Sequence, residues 1–340
     1  MNDSGAAPLT KGRMAATLII LTIATVVVAV VAIAFGSVHI SLARAVVDAA
    51  SPDRAILIGV RLPRILMGAI VGAVLAGVGV ALQALVRNPL AEGGILGISG
   101  GGAFGAIVAM VLFSRHAATD TIVPVAAFVA ALVSTWAVYR LAQLEGRLEP
   151  FTLLLVGVIF NAFWGAAIML VNSIVNFYFT HSILFWLMGS LEAPTYREVM
   201  VVTLCGLAGF AVLIARARDM NLMSLGDDEA AELGVEVDAV RRMIFVATSV
   251  MIGAAVAVSG IISFVGLIVP HILRTVIGPD HRLLLPASIL GGAAFTVTAD
   301  LIARTVIAPS ELPVGAITAL CGGPFFIYVL RRTGRKSLAL

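Results

Sequence analysis

The sequence predicts an all-α polytopic membrane protein with about ten transmembrane helices. Three observations carry that expectation. Hydrophobic residues make up 60% of the 340 positions and charged residues only 12%, about half the charged share of an ordinary soluble domain. Uncharged apolar runs recur along the whole chain, at the length of about 20 residues that a helix needs to cross a bilayer core. The basic residues between them fall mostly on one side, as the positive-inside rule requires.

In chain order the spans are read at 15–36, 62–86, 93–113, 122–141, 151–172, 196–215, 241–258, 261–274, 283–306 and 313–331. The first holds 21 uncharged residues, Ala15 to Phe35. Lys11 and Arg13 before it and Ala32-Ile33-Ala34 within it imitate a cleaved secretory signal, but its length and the later spans argue that it is retained. The second opens with Arg61-Leu-Pro-Arg64. Proline suits a first helical turn, and arginines three apart share a face. The run at 261–274 is short and contains Pro270, so a broken or re-entrant helix is expected there. The next span contains Asp300, four residues before Arg304, a favourable helical pair. It is the one carboxylate placed clearly inside a span, where ionisable groups are costly and often functional. Arg87-Asn-Pro-Leu90 and Val269-Pro-His-Ile272 interrupt apolar sequence and are expected to break helices, freeing backbone groups to line a cavity.

With the N-terminus inside, 15 of the 22 basic residues fall on the inner side. The outer seven are Arg44, Arg54, Arg61, Arg64, Arg115, Arg197 and Arg304. Residues 1–14 and 332–340 are then cytoplasmic tails around a single membrane domain, 15–331. The formal net charge of +3 says little by itself.

A weak internal repeat is expected: 71–79 resembles 252–260 in four of nine positions, and 100–104 resembles 291–295 in four of five. Gly68/Gly72, Gly97/Gly101 and Gly101/Gly105 have the spacing that lets helix backbones approach closely. Cys205 and Cys321 lie in apolar runs without metal-ligand spacing and are read as small buried hydrophobes. His181, His271 and His281 share no helix face with a second ligand-type residue and are read as structural.

The most informative segment is polar. Seven of the 19 acids lie between Asp219 and Asp238, on the inner side. Asp227, Asp228 and Glu229 favour a helix start, and Gly234 suits its stop. Leu225, Ala230, Ala231 and Leu233 are expected to form an apolar face, making a short helix for docking a soluble partner. Gly100-Gly-Gly102-Ala-Phe-Gly105 matches a dinucleotide fingerprint only in letters, since it follows no strand, and no GxxxxGK[ST] loop is present. The chain's lysines are Lys11 and Lys336. Any ATP must therefore be hydrolysed elsewhere, and no catalytic residue is expected.

These segments together resemble the FecCD-type permease family of bacterial ABC importers for iron-siderophores, heme and vitamin B12. The resemblance runs from about Arg61 to Arg331. It is carried by Arg61-Leu-Pro-Arg64, the Gly/Ala run to Gln83, Arg87-Asn-Pro-Leu-Ala91, Ile95-Leu-Gly-Ile-Ser99, Trp186-Leu-Met-Gly-Ser190, Leu225-Gly-Asp-Asp-Glu-Ala-Ala-Glu-Leu-Gly234, Phe264-Val-Gly-Leu-Ile-Val-Pro-His271, Glu311-Leu-Pro-Val-Gly315 and Gly323-Pro-Phe-Phe326. It implies a type II importer permease working as a homodimer in the bacterial inner membrane. Two ATP-binding-cassette ATPase subunits below would hold ATP and Mg, and a substrate-binding protein would dock above. Membrane lipid surrounds the chain, and no cofactor, metal or nucleic acid is implied for it.

By the same resemblance, Leu225, Gly226, Asp227, Asp228, Glu229, Ala230, Glu232, Leu233 and Gly234 couple to the ATPase. Arg61, Arg64 and Arg304 would meet glutamates of the binding protein, and Pro150, Phe151 and Thr152 align with an inner gate. Glu92-Gly93-Gly94 departs from the commonest family pattern, so that loop is expected to bend differently. Ferric siderophore is the first expected cargo, with heme or cobalamin as alternatives. An ion-coupled secondary transporter is the remoter competitor, for which Asp300 would be the candidate coupling group.

Overall fold

A computed structural model describes residues 10–114, 119–144 and 146–337. Residues 1–9 of the predicted tail 1–14, residues 338–340 of the predicted tail 332–340, and Arg115 lie outside the described residues. Among the described residues the regular structure is helical apart from one small hairpin. In order the elements are α1 (Lys11–Ala34), α2 (Leu42–Val47), α3 (Pro52–Ile56), a π-helical turn (Leu57–Arg61), α4 (Leu62–Leu85), α5 (Ile98–Phe113), α6 (Thr119–Leu141), the two-residue strands β1 (Gln143–Leu144) and β2 (Arg147–Leu148), α7 (Pro150–Ile174), α8 (Phe177–Leu187), α9 (Tyr196–Ala215), α10 (Ala217–Met223), α11 (Asp227–Glu232), α12 (Val237–Ser259), α13 (Val265–Ile277), α14 (His281–Thr305) and α15 (Val314–Ser337). Among the described residues, seven helices are long and apolar enough to span a membrane, and three shorter apolar ones lie at 98–113, 265–277 and 314–329. Together these match the ten predicted spans.

Polar side chains set several boundaries. Thr10, Ser41, Ser51, Asn176 and Asp280 each accept a backbone N–H at the start of a helix. Thr195 and Glu198 form a reciprocal capping box on α9, satisfying two donors that a helix start leaves open.

Helix α4 is the axis of the fold, buried along most of its length. It packs against α14, α12, α13 and α9, while α5 packs on α6 and α7. The close approach of α4 and α14 depends on Gly72, since a Cβ there would collide with Gly292 O and Thr296 Oγ1. Gly101 and Gly105 allow the same between α5 and α6. Backbone cannot move aside as a flexible side chain can, so Gly72→Ala is expected to lower thermal stability by about 1–3 kcal/mol. Gly12→Ala, with no atom within 4 Å of the new Cβ, should not. Thermal unfolding of the two detergent-solubilised variants checks this.

Several expectations are corrected. The third span begins at Ile98, five residues late, because 86–97 folds as a loop. Helix α13 continues through Pro270, and the break falls before it, at 260–264. The carbonyl that Pro270 leaves without a helical donor is that of Gly266, and Gln83 Nε2 supplies that bond at 3.0 Å. Cys321 is exposed and Cys205 half-buried, so neither is a core residue. The repeated stretches occupy unlike places: 71–79 is interior to α4, while 252–260 ends α12 at Gly260. The hairpin and α8 had no counterpart in the predicted spans.

Candidate functional site

The acidic segment folds as α10 and α11, and its caps follow the sequence. Gly226 precedes α11 at φ +146°, a conformation suited to glycine, and the Glu229 carboxylate folds over it, filling the space a side chain would need. At the other end Gly234 stands at φ +86°, and Val235 N bonds back to Ala230 O at 3.0 Å, closing the helix. The expected apolar face is divided. Ala230 is fully buried as an anchor, whereas Leu225 and Leu233 are 63% and 60% exposed. Asp228, Glu229, Ala231, Glu232 and Gly234 are also exposed. The outer surface of α11 is therefore an acidic ridge flanked by two leucines.

Asp227 faces inward and joins this ridge to the spans. Its carboxylate accepts from Arg241 Nη2 at 2.9 and 3.0 Å and from Arg87 Nη2 at 2.8 Å. Arg241, on α12, is buried and also donates to Leu148 O at 3.3 Å, just before α7. There Glu149 accepts from the backbone N–H of Phe151 and Thr152, Pro150 occupies the first turn, and Phe151 is 72% exposed. Pro150, Phe151, Asp227, Asp228 and Arg241 line one cleft of about 770 Å³. The predicted coupling and gate residues are thus brought together through Arg241, which sequence reasoning had counted only as inner-side charge, and Arg87, which it had read as part of a helix-breaking motif.

A second tie holds α10. Asn221 donates to Asp280 Oδ1 at 2.8 Å and accepts from His281 N at 2.8 Å. Hydrogen bonds from Arg282 chiefly, then Asn221, hold the Asp280 carboxyl down to about 2 against the opposing effect of burial. It stays ionised across neutral and mildly acidic pH.

The opposite end of α4 carries the other predicted cluster. Arg61, Arg64 and Arg304 are only 4%, 6% and 3% exposed, and all three are bonded within the chain. Arg61 donates to Ile33 O at 2.6 Å and Ala34 O at 3.2 Å, satisfying carbonyls that the end of α1 leaves open, and also to Val38 O beyond it. Arg64 pairs with Asp300 at 2.9 Å and Glu311 at 2.6 Å. Arg304 donates to Ala32 O at 2.9 Å and stands 3.5 Å from Asp300. The principal partner of Asp300 is therefore Arg64, 236 residues away, rather than its helical neighbour. In this conformation the three arginines are enclosed, whereas Arg44 and Arg197 at this end are exposed.

Midway, the loop after α4 meets the break before α13. Glu92 Oε2 accepts from Phe264 N at 3.0 Å, capping a helix start inside the fold. Sequence reasoning had noted Glu92 only as a departure in a loop.

The chain is thus a bundle of membrane-spanning helices with an exposed acidic ridge at one end, tied to the spans through the Asp227–Arg241 ion pair. The chain belongs to the FecCD transport family, whose model matches residues 18–332. The cobalamin import system permease protein of Halobacterium salinarum is 45% identical over 274 residues, covering 80% of this chain and 72% of that one. The hemin transport system permease protein of Yersinia pestis is 40% identical over 279 residues, covering 82% and 83%. The iron(3+)-hydroxamate import system permease protein of Bacillus subtilis is 34% identical over 286 residues, covering 82% of each. A solved inward-facing structure of a metal-chelate type ABC transporter superposes with a TM-score of 0.82 at 30% identity, covering 94% of this chain and 99% of that one. The chain is thus an integral-membrane permease subunit of an ABC importer, and ATP is hydrolysed by separate subunits.

Proposed function

We propose that two copies of this chain carry a metal chelate across the bacterial inner membrane, from a substrate-binding protein outside to the cytoplasm, by alternating access. Two ATPase subunits, holding ATP and Mg, grip the α11 ridges at the cytoplasmic face, where both termini also lie. The observation that carries the reading is the Arg241 bridge. A force on α11 reaches Asp227, then Arg241, then the start of α7 at Pro150, Phe151 and Thr152, which form the inner gate.

The face of α7 bearing Phe163, Leu170 and Ile174 is 60–77% exposed. A second copy covering part of it makes the permease a homodimer with the path between the copies. The relatives named for cobalamin and hemin are more similar to this chain than the one named for ferric hydroxamate, which favours a macrocyclic metal chelate over the ferric siderophore first expected. A direct role for Arg61, Arg64 and Arg304 in docking the binding protein requires them to exchange their present partners for its carboxylates.

Asp300→Asn separates this reading from an ion-coupled carrier. Asp300 is held by a cation on each side, so it acts as a structural counter-ion. In proteoliposomes the variant is expected to keep ATP-dependent uptake and gain no dependence on a proton gradient. Loss of gradient-driven uptake that the unaltered protein possessed would contradict the reading.

A further inference from the structure

At the α11 end of the bundle, a cavity of about 600 Å³ opens between the start of α1, the end of α4, α10 and the turn from α13 to α14. Arginines reach it from separate elements: Arg13 on α1, Arg87 just past α4 and Arg274 in the last turn of α13. In its described wall the one carboxylate is that of Asp280.

Charge does not balance there. Both Asp280 oxygens are engaged, by Asn221 Nδ2 at 2.8 Å and by Arg282 Nη2 at 2.6 Å. Arg87 is matched by Asp227 at 2.8 Å. Arg274 makes no ion pair among the described residues. Half-buried, it gives Nη2 to Gln83 Oε1 at 2.7 Å, a neutral acceptor. Arg13 turns Nη2 to Ile277 O at 3.1 Å, at the end of α13. A helix-end carbonyl accounts for Arg13. It does not account for Arg274, because a cation partly withdrawn from water favours a counter-charge. An anion in the cavity supplies one.

The surroundings indicate which anion. The cavity sits where α1 and α14 begin and α4 and α13 end, the level at which a bilayer places its headgroups. Beside it Val276 is 70% exposed, and along α1 Ile19, Ile20 and Ile23 are 57–65% exposed. A ligand with a phosphate head and apolar tails meets both the arginines and these side chains, whereas a soluble anion meets only the first. Arginine's planar fork suits phosphate oxygens. With Asp280 already engaged, nothing in the described wall is left to receive the cation of a zwitterionic headgroup.

We infer that this cavity binds the phosphate of an anionic membrane phospholipid, with Arg274 as its principal partner and Arg13 at the rim. The inference goes beyond the importer reading and does not depend on it, needing only that the chain spans a bilayer. Basic pockets between span ends are a known form of headgroup recognition. A lipid held there ties α1, which packs chiefly on α14, to α4 and α13.

The test uses the complete complex with its ATPase, purified in detergent and stripped of lipid. Phosphatidylglycerol, phosphatidylcholine with the same acyl chains, or inorganic phosphate is then added. Native mass spectrometry is expected to show phosphatidylglycerol retained roughly tenfold better than phosphatidylcholine, and only phosphatidylglycerol should raise the melting temperature. Arg274→Gln with Arg13→Gln should weaken that retention roughly thirtyfold, the effect of two arginines beside an anionic headgroup. The ATPase should stay bound and the lipid-free melting temperature should hold. Arg274→Lys, which keeps a point charge, should preserve most of the retention. Equal retention of the two lipids by the unaltered complex would overturn the inference without recourse to any variant. So would unchanged phosphatidylglycerol retention in the double variant. Inorganic phosphate stabilising the complex as well as phosphatidylglycerol does would assign the cavity to a soluble anion instead. Loss of the ATPase from the double variant, with lipid retention intact, would assign it to a protein contact.

Discussion

Replacing Arg64 by methionine is expected to destabilise the protein by about 3–5 kcal/mol, the usual consequence of removing one member of a buried ion pair. Arg64 gives Asp300 three hydrogen-bond contacts of 2.9–3.1 Å. Without them, Asp300, 1% exposed, retains among the described residues only Arg304 Nε at 3.5 Å, whose Nη2 is committed to Ala32 O. Glu311 loses a partner too, but its side chain is 21% exposed and can be solvated. The double variant Arg64→Met with Asp300→Asn removes the stranded charge and should recover much of the loss, because contacting residues couple strongly. Melting temperatures of the single and double variants in detergent decide the matter. A double variant no more stable than Arg64→Met would show that Asp300 is not the group left uncompensated.

The largest functional effect is expected from Asp228→Arg with Glu229→Arg. Both residues are exposed on the first turn of α11, so stability should change little; acids at a helix start contribute about 0.3–1 kcal/mol each. On the proposed function, their value lies in what docks on them. Reversing two charges on one ridge places like charge against a surface adapted to acid, which costs several kcal/mol at an interface. ATP-dependent uptake should fall by more than tenfold and co-purification of the ATPase should weaken, while the melting temperature holds. Full uptake would remove α11 from the docking surface. Arg241→Met makes a contrasting case: the ridge stays exposed and acidic, but its link to Leu148 and Asp227 is gone. ATPase binding is then expected to survive while uptake is lost.

Much of this architecture was legible in one sequence because the bilayer imposes a simple rule. A spanning helix must be apolar for about 20 residues, and breaks between such runs are easily seen. The α11 ridge was legible for a local reason, with acids at its start and Gly234 at its end. Contacts between distant residues were not. Nothing near Arg241 indicates that it reaches both Asp227 and the Leu148 carbonyl, and Asp300 looked like the partner of Arg304 because their spacing is local. The same limit hid the role of Gln83. It supplies the bond that Pro270 withholds, so Pro270 marks no break. Glu92 was visible only as an irregular loop residue, because its partner Phe264 N is 172 residues away. Burial of Arg61, Arg64 and Arg304 was likewise unreadable from arginines at the ends of spans.

The account stands most directly on one reconstitution. Liposomes containing only this chain, with chelate and binding protein outside and ATP inside, are predicted to accumulate nothing. Adding the ATPase subunits to the inner face should switch on uptake that stops when ATP is exhausted. Accumulation by the chain alone, driven by a proton or sodium gradient, would contradict it.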